Sequence, residues 1–162
     1  MKNRTIKIIL ILFSIIFALR VITIFTADRL YSMSMAVETG KIPADRGILF
    51  LGVATKLDST NAKLYFQKYE ILRGLSPKGT VPDEEHKIQK QQLHLLKKCI
   101  DLCPSWAAYH IYYAFTLRAL SPKPNIITRD MIASEFKKAS DLKPYSPLYC
   151  KIYERYIEPF SR

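Results

Sequence analysis

A nearly unbroken apolar stretch from Ile6 to Ala27 constrains this chain of 162 residues more than any other feature. As an α-helix the stretch would be about 33 Å long, enough to cross a hydrocarbon core of roughly 30 Å. Its fifteen Ile, Leu, Val and Phe side chains favour insertion by roughly 0.3 to 0.6 kcal/mol each, which outweighs roughly 2.5 to 3.5 kcal/mol for Arg20 at the helix centre. The sequence predicts a membrane anchor over residues 1–27 and a second region over residues 28–162.

The alternative to an anchor is a secretory signal that is removed after export. A basic head precedes the apolar run, as it does in such signals: Lys2, Arg4 and Lys7. Arg20 interrupts the run, however, and no pair of small residues with cleavage spacing follows closely. Ser34-Met35-Ala36 would suit a signal peptidase, but it lies far downstream. We favour the uncleaved anchor.

Charge on the two sides of the span predicts its orientation. The basic head contains no acidic residue, whereas the following segment begins Asp28-Arg29 and mixes both signs. Positive residues are retained on the cytoplasmic side of membranes. We therefore expect a single-pass protein of the cytoplasmic (inner) membrane, with its amino terminus inside and residues 28–162 outside the cytoplasm, in the cell envelope.

Arg20 is a charge inside the predicted span, and two arrangements would accommodate it. Its long side chain could extend toward the Asp28 end of the helix, roughly 10 Å away by helical rise. Alternatively it could contact an acidic side chain in the membrane helix of a partner, since intramembrane charges usually face protein or water. We favour the first arrangement and keep the second as a hypothesis.

The region after the anchor is long enough for one compact domain. It carries 21 basic and all 14 acidic residues of the chain, which gives a formal net charge of +7. Such a balance favours anionic neighbours, namely acidic protein segments or anionic lipid head groups. No nucleic-acid-binding motif accompanies it, so we expect no nucleic acid partner.

Three segments of this region align without gaps and share the pattern small-x-x-Leu-x-Pro/Ser-x-x-Ala/Pro. They begin at Ala54, Cys99 and Ala139 and reach their leucines at Leu57, Leu102 and Leu142. The pattern predicts a helix that ends after the leucine and a new helix near Ala62, Ala107 or Pro147. Bulky apolar residues stand three positions before each small residue, on the same helix face: Leu51, Leu96 and Phe136.

Between these points the sequence predicts helices only. The anchor helix is expected to reach about Thr39 before Gly40 stops it, with further helix starts at Asp83 and Thr128. Turn formers around Pro77 and Pro122 predict loops within the second and third repeats. The predicted helices span residues 43–57, 61–74, 84–103, 106–120, 128–143 and 146–158.

This pattern resembles the tetratricopeptide repeat, in which a second helix with small and apolar positions leads through Leu-Asp-Pro into the next first helix. The resemblance covers roughly Asp45 to Pro159 and implies an all-α fold: a TPR-like α-solenoid of about three helix pairs behind the transmembrane helix. Gly47 and Ala114 occupy small positions of the family pattern, whereas Tyr69 departs from it. The copies lie 45 and then 40 residues apart, against about 34 in the family.

No residue pattern predicts chemistry. The three histidines, His86, His94 and His110, have no ligand spacing, and the five glycines form no phosphate-binding motif. Cys99 and Cys103 could suggest a metal or redox pair, but the repeat gives Cys99 a plainer role as a small core residue. We therefore predict no catalytic residue, no metal site, no cofactor and no enzymatic activity.

Tyrosine is the residue type that stands out. All ten tyrosines follow the anchor, and most fall in the first helix of a repeat. The resemblance implies that these helices line the concave surface where extended peptides bind. Tyrosines suit binding surfaces, although helix packing uses them equally well. The hypothetical partner-binding residues are two pairs spaced by four: Tyr109 with Tyr113, and Tyr149 with Tyr153.

The resemblance and the anchor together imply a function in binding. We expect a membrane-anchored adaptor or assembly factor that binds a protein partner, such as an acidic or extended segment. The alternative is a small structural subunit of a larger membrane complex, held mainly through its transmembrane helix and Arg20.

Overall fold

The computed structural model describes residues 2–75, 82–121 and 124–157, and in these ranges the chain is helical with no strand. The all-α prediction is confirmed. The predicted loops around Pro77 and Pro122 lie outside the described residues. A short 3-10 helix at Met35–Val37 accompanies seven α-helices: α1 (Lys2–Ser34), α2 (Ala44–Leu57), α3 (Ala62–Gly74), α4 (Pro82–Leu102), α5 (Ala107–Leu120), α6 (Ile126–Leu142) and α7 (Pro147–Ile157).

The repeat pattern predicted the helix boundaries closely. The helices α2, α4 and α6 end at the three aligned leucines, and α3, α5 and α7 begin at Ala62, Ala107 and Pro147. These boundaries are encoded locally, because a proline cannot continue a helix but fits its first turn.

Three helix ends differ from the prediction by two residues or more. The α6 helix begins at Ile126 rather than at Thr128, because the side chain of Asn125 caps it by accepting a hydrogen bond from the Thr128 backbone N–H at 2.8 Å. The α4 helix begins at Pro82, which leaves Asp83 inside the first turn. The α1 helix ends at Ser34, and Gly40 takes a positive φ of 69° in the turn that follows.

The chain forms two compact units, residues 1–67 and 68–162. In the first unit α1 packs against α2. Small or short side chains allow this contact, because Ala27 and Ser34 of α1 and Gly47 and Ala54 of α2 are buried. Leu51 of α2 is fully buried as well. Gln67, near the middle of α3, also donates a hydrogen bond to Glu38 at 2.9 Å.

In the second unit α5 packs against both α4 and α6, and α6 packs against α7. Its core is a cluster of small and bulky apolar residues: Ala107, Ile111, Ala114, Ile132, Phe136 and Ala139. The rings of Phe115, Phe136 and Tyr156 lie 5.1 to 5.5 Å apart and extend this cluster onto α7.

The small positions of the aligned repeat, and the bulky positions that precede them, are buried, whereas the aligned leucines Leu102 and Leu142 are each 37% exposed. Ala54, Cys99 and Ala139 are each 0% exposed, and the bulky residues three positions earlier are equally buried. Cys99 therefore occupies the same kind of packing position as the two alanines. Burial raises the pKa of the Cys99 thiol to about 12, which keeps the thiol neutral and unreactive.

His110 joins α5 to α6 through the interior of the second unit. Its Nδ1 lies 2.6 Å from Glu135 Oε2, and its Nε2 lies 2.8 Å from the Pro104 carbonyl oxygen. Lys138 donates to the other oxygen of Glu135 at 2.7 Å. Burial alone would raise the pKa of Glu135, but the hydrogen bonds from Lys138 and His110 outweigh it and hold that pKa below 4.5.

The α1 helix alone, among the described residues, is long and apolar enough to cross a membrane. None of its most apolar window is buried inside the protein. Signal sequences near an amino terminus share these properties, so length and composition support either a membrane anchor or a signal.

Candidate functional site

The four tyrosines predicted to bind a partner lie in the second unit, on α5 and α7. Tyr109 is only 5% exposed, and its ring lies 6.0 Å from that of Trp106. Tyr149 and Tyr153 pack against the core cluster with part of each ring accessible, and Tyr113 is also partly exposed. Tyr109 thus offers almost no surface to a partner, whereas the other three retain some.

A different group of side chains combines two exposed arginines with the rings beneath them, of which Tyr69 is buried and Tyr112 and Tyr156 are partly exposed. On α3 the guanidinium of Arg73 lies 6.0 Å from the ring centre of Tyr69 and 5.5 Å from that of Tyr112 on α5. On α5 the guanidinium of Arg118 lies 4.5 Å from the ring centre of Tyr156 on α7. We call these five residues the arginine–tyrosine row: Tyr69, Arg73, Tyr112, Arg118 and Tyr156.

The row follows the repeat. In each step an arginine near the end of one first helix covers a tyrosine on the next first helix along the chain. The rings themselves are supported, since Tyr69 lies 5.6 Å from Tyr112 and Tyr156 stacks on Phe136 at 5.5 Å. Burial raises the pKa of Tyr69, so its phenol stays neutral at physiological pH. The row therefore places two positive charges over packed aromatic rings.

This geometry suits recognition of a carboxylate. A guanidinium that stacks on a ring keeps its N–H groups in the plane parallel to the ring, where they can bind two carboxylate oxygens at once. The Nη2 atom of Arg73 already forms an ion pair with Glu70 Oε2 at 2.7 Å. Arg118 is exposed and has no ion pair among the described residues, so it is the better placed of the two for an external acid.

Sequence reasoning identified the tyrosine-rich helices but not the arginines. Arg73 and Arg118 lie 45 residues apart, the same spacing that separates Leu57 from Leu102. That match was a usable signal, because residues at equivalent positions of successive repeats lie on equivalent surfaces. What the spacing could not reveal is that each arginine contacts a tyrosine of the next repeat.

Arg20 contacts residues of its own chain at the end of α2. Its Nη2 lies 3.8 Å from Asp58 Oδ1, and its Nη1 donates to the Leu57 carbonyl oxygen at 3.5 Å. The side chain therefore reaches across to the end of α2 and does not extend toward Asp28. Contact of Arg20 with an acidic side chain of a partner's membrane helix stays a prediction.

No group of three or more His, Cys, Asp or Glu side chains in the described part of the chain is placed to hold a metal ion. His94 is exposed on α4, and both ring nitrogens of His110 are engaged within the protein. Cys99, Cys103 and Cys150 form no disulfide with one another.

Solved structures share this fold. The chain is similar to the TPR domain of Arabidopsis OM64, with 15% sequence identity, a TM-score of 0.62, and coverage of 84% of this chain and 98% of that one. It is also similar to the first TPR of Spaghetti (RPAP3) bound to the HSP90 peptide SRMEEVD, with 11% identity, a TM-score of 0.63, and coverage of 86% and 96%.

No protein-family model and no curated protein matches the sequence of this chain. The similarity is thus one of fold, carried by helix lengths and packing rather than by residue identity. Both structural matches cover more of the chain than the predicted repeat region, residues 45–159. The helices of this chain therefore have the tetratricopeptide-repeat-like fold that the repeat pattern implied.

Proposed function

We propose that this protein is a membrane-anchored adaptor that binds an acidic, extended segment of a partner protein along the first helices of its repeats. The observation that carries this proposal is the arginine–tyrosine row, which holds Arg73 and Arg118 over rings on adjacent first helices. A row that crosses several helices fits an extended chain better than a small molecule, because successive residues of the chain meet successive repeats.

Charge supports an acidic partner. The net charge of +7 on residues 28–162 would draw an acidic segment toward the protein, and the arginines would then bind its carboxylates. The partly exposed rings of Tyr113, Tyr149 and Tyr153 add apolar surface on the same two helices. The similar RPAP3 domain binds a peptide that ends in Glu-Glu-Val-Asp, which supports a protein partner of this chemistry.

Packing supports an anchor that stays attached. Removal of the chain up to Ala36 would take away all of α1, the helix against which α2 packs. A signal that is cleaved has no reason to form part of the core of the mature protein. The predicted boundary between residues 27 and 28 falls inside the continuous helix α1, so in this proposal one helix serves both the anchor and the domain.

The proposed location follows from the anchor and its basic head. The amino terminus lies in the cytoplasm, the chain crosses the inner membrane once, and the repeats lie in the cell envelope outside the cytoplasm. The protein would have no catalytic activity of its own, since recognition is the only chemistry that the row offers.

Co-purification of the full-length protein in mild detergent tests the binding site. We expect the double variant Arg73→Ala/Arg118→Ala to lose its partner while its helicity and melting temperature stay close to wild type, because exposed cation–π contacts contribute only about 0.5 to 1 kcal/mol each. Loss of the partner should also occur in wild type at high salt, since screening weakens charge recognition.

Lys98 and Lys137 provide the matched control. Both are exposed lysines on second helices, α4 and α6, so Lys98→Ala/Lys137→Ala removes the same charge from a different surface. Retention of the partner by this control and loss by the arginine variant would support the row. Equal loss by both variants would indicate attraction by net charge alone, and equal retention would contradict the proposal.

A further inference from the structure

The part of α1 that packs on α2 begins inside the predicted membrane span. The Arg20 contacts with Leu57 and Asp58 lie at the far end of this interface, 14 residues before Ser34. Because α1 and α2 run in opposite directions around the turn at residues 35–43, the last turn of α2 and the start of the α2–α3 connection lie beside Arg20. The depth of Arg20 in a membrane therefore fixes the depth of this end of α2.

The apolar length before Arg20 is too short to cross a bilayer by itself. Residues 6–19 span about 21 Å as a helix, whereas the hydrocarbon core is about 30 Å thick. The shortfall of about 9 Å is met by local thinning of the bilayer around a short span and by apolar side chains just after Arg20 that reach back toward the acyl chains. Val21, Ile22 and Phe25 are 50%, 60% and 73% exposed on α1, which indicates that lipid rather than water contacts this face of the helix.

The adjacent end of α2 is polar. Lys56, Ser59 and Thr60 are exposed there, and the Asp58 side chain is only 10% exposed while Thr60 donates to it at 2.8 Å. Transfer of these polar groups into hydrocarbon would cost free energy. They nevertheless lie at the depth of Arg20, which is inside the predicted membrane span. The lipid head-group layer resolves the conflict, because it hydrates polar groups while Ile22 and Phe25, which point back toward the helix amino terminus, reach the acyl chains.

We propose that the C-terminal end of α2 and the connection at residues 58–61 are embedded in the lipid head-group layer, so that the repeat domain begins at the membrane surface without a linker. This inference rests on the proposed membrane anchor. Arg20 and Asp58 then neutralise each other at the boundary of the hydrocarbon, and Lys56 and Lys63, both exposed, face lipid phosphates. We assign lipid to this surface because the exposed apolar face of α1 beside it is continuous with the proposed membrane span.

Depth-dependent quenching of tryptophan fluorescence tests the placement. The full-length protein carries one tryptophan, Trp106, and Trp106→Phe provides a dark background in which Ser59→Trp reports on the end of α2. Ser59 is exposed, so the substitution should be tolerated. In vesicles of phosphatidylcholine and phosphatidylglycerol, we expect Ser59→Trp to show blue-shifted emission and to lose most of it to lipids brominated near the ester linkage.

Two further positions calibrate the measurement. Lys41→Trp lies at the opposite end of the α1–α2 interface, about 20 Å away by helical rise, and should keep its emission in all brominated lipids. Phe13→Trp lies within the span and should be quenched most by lipids brominated near the chain end. Circular dichroism of each variant establishes that the helices are retained.

The outcomes separate this inference from the anchor on which it rests. If Phe13→Trp is quenched but Ser59→Trp behaves like Lys41→Trp, the span inserts and the domain stands clear of the bilayer, which overturns the inference alone. Stronger quenching of Ser59→Trp by deep than by shallow bromines would place the connection in hydrocarbon and would also overturn it. An unquenched Phe13→Trp would overturn the anchor and the inference together.

Discussion

At the scale of single residues, the hydrogen-bonded group around His110 is the most demanding polar feature of the interior. Both ring nitrogens of His110 are engaged, one by the Glu135 carboxyl group and the other by the Pro104 carbonyl oxygen. Loss of one member of such a buried hydrogen-bonded group destabilises the fold by more than the intact group stabilises it. His110 is therefore a structural residue that joins α5 to α6.

Glu135→Gln should lower the free energy of unfolding by about 1.5 to 3 kcal/mol at neutral pH, because His110 and Lys138 contact different oxygens of Glu135, and glutamine keeps only one oxygen and carries no charge. The pKa of Glu135 is lowered in the folded state, so its contribution is present above pH 4.5 and is lost as the pH falls through the lowered pKa. Urea unfolding of wild type and variant across pH measures the difference.

The exposed pair Lys97–Asp101 is the control for this prediction, since its side chains are 60% and 50% exposed. Asp101→Asn should change stability by less than about 1 kcal/mol. A difference between wild type and Glu135→Gln that stays constant into strong acid would contradict the ionic role of Glu135.

Thiol labelling should distinguish the three cysteines in the folded protein. Cys99 is buried and its pKa is raised to about 12, whereas Cys103 and Cys150 are partly exposed. We expect a maleimide reagent to modify the latter two at neutral pH and Cys99 only after denaturation, as read by mass spectrometry of peptides. Rapid modification of native Cys99 would contradict its position in the helix interface.

At the scale of helices, the small residues of the repeat determine how closely neighbouring helices approach. Ala139 is 0% exposed and belongs to the core cluster with Phe136 and Ala114. Ala139→Leu should reduce the free energy of unfolding by about 1 to 3 kcal/mol, because the larger side chain must displace its neighbours. Lys137→Leu on the exposed face of α6 adds a similar side chain without that cost and serves as the control in thermal unfolding.

At the scale of the whole molecule, the single span and its basic head predict one topology. A reporter that is active only in the cytoplasm, fused after Arg162, should be silent, because the positive residues retain the amino terminus inside. Peptide mapping of the mature protein should recover residues 1–27. Cytoplasmic reporter activity would reverse the topology, and a mature chain that begins after Ala36 would replace the anchor with a signal peptide.

The sequence alone determined the helix boundaries and the repeat. Proline, small residues and the aligned leucines act on the nearest turns of backbone, so their effect is visible in the order of residues. The start of α6 could not be placed as well, since Asn125 competes with Thr128 for the cap and only the folded loop shows which side chain reaches the backbone.

Contacts between distant residues were decided by the tertiary structure. Tyr109 and Tyr149 occupy equivalent positions in the sequence, yet Tyr109 is buried and Tyr149 is partly exposed, because neighbouring helices cover each position differently. Arg20 contacts Asp58, which lies 38 residues away in the sequence, and Arg118 contacts Tyr156, also 38 residues away. The composition of a helix face limits which residues can pack or bind, but only the packing of one helix on another selects the pairs that meet.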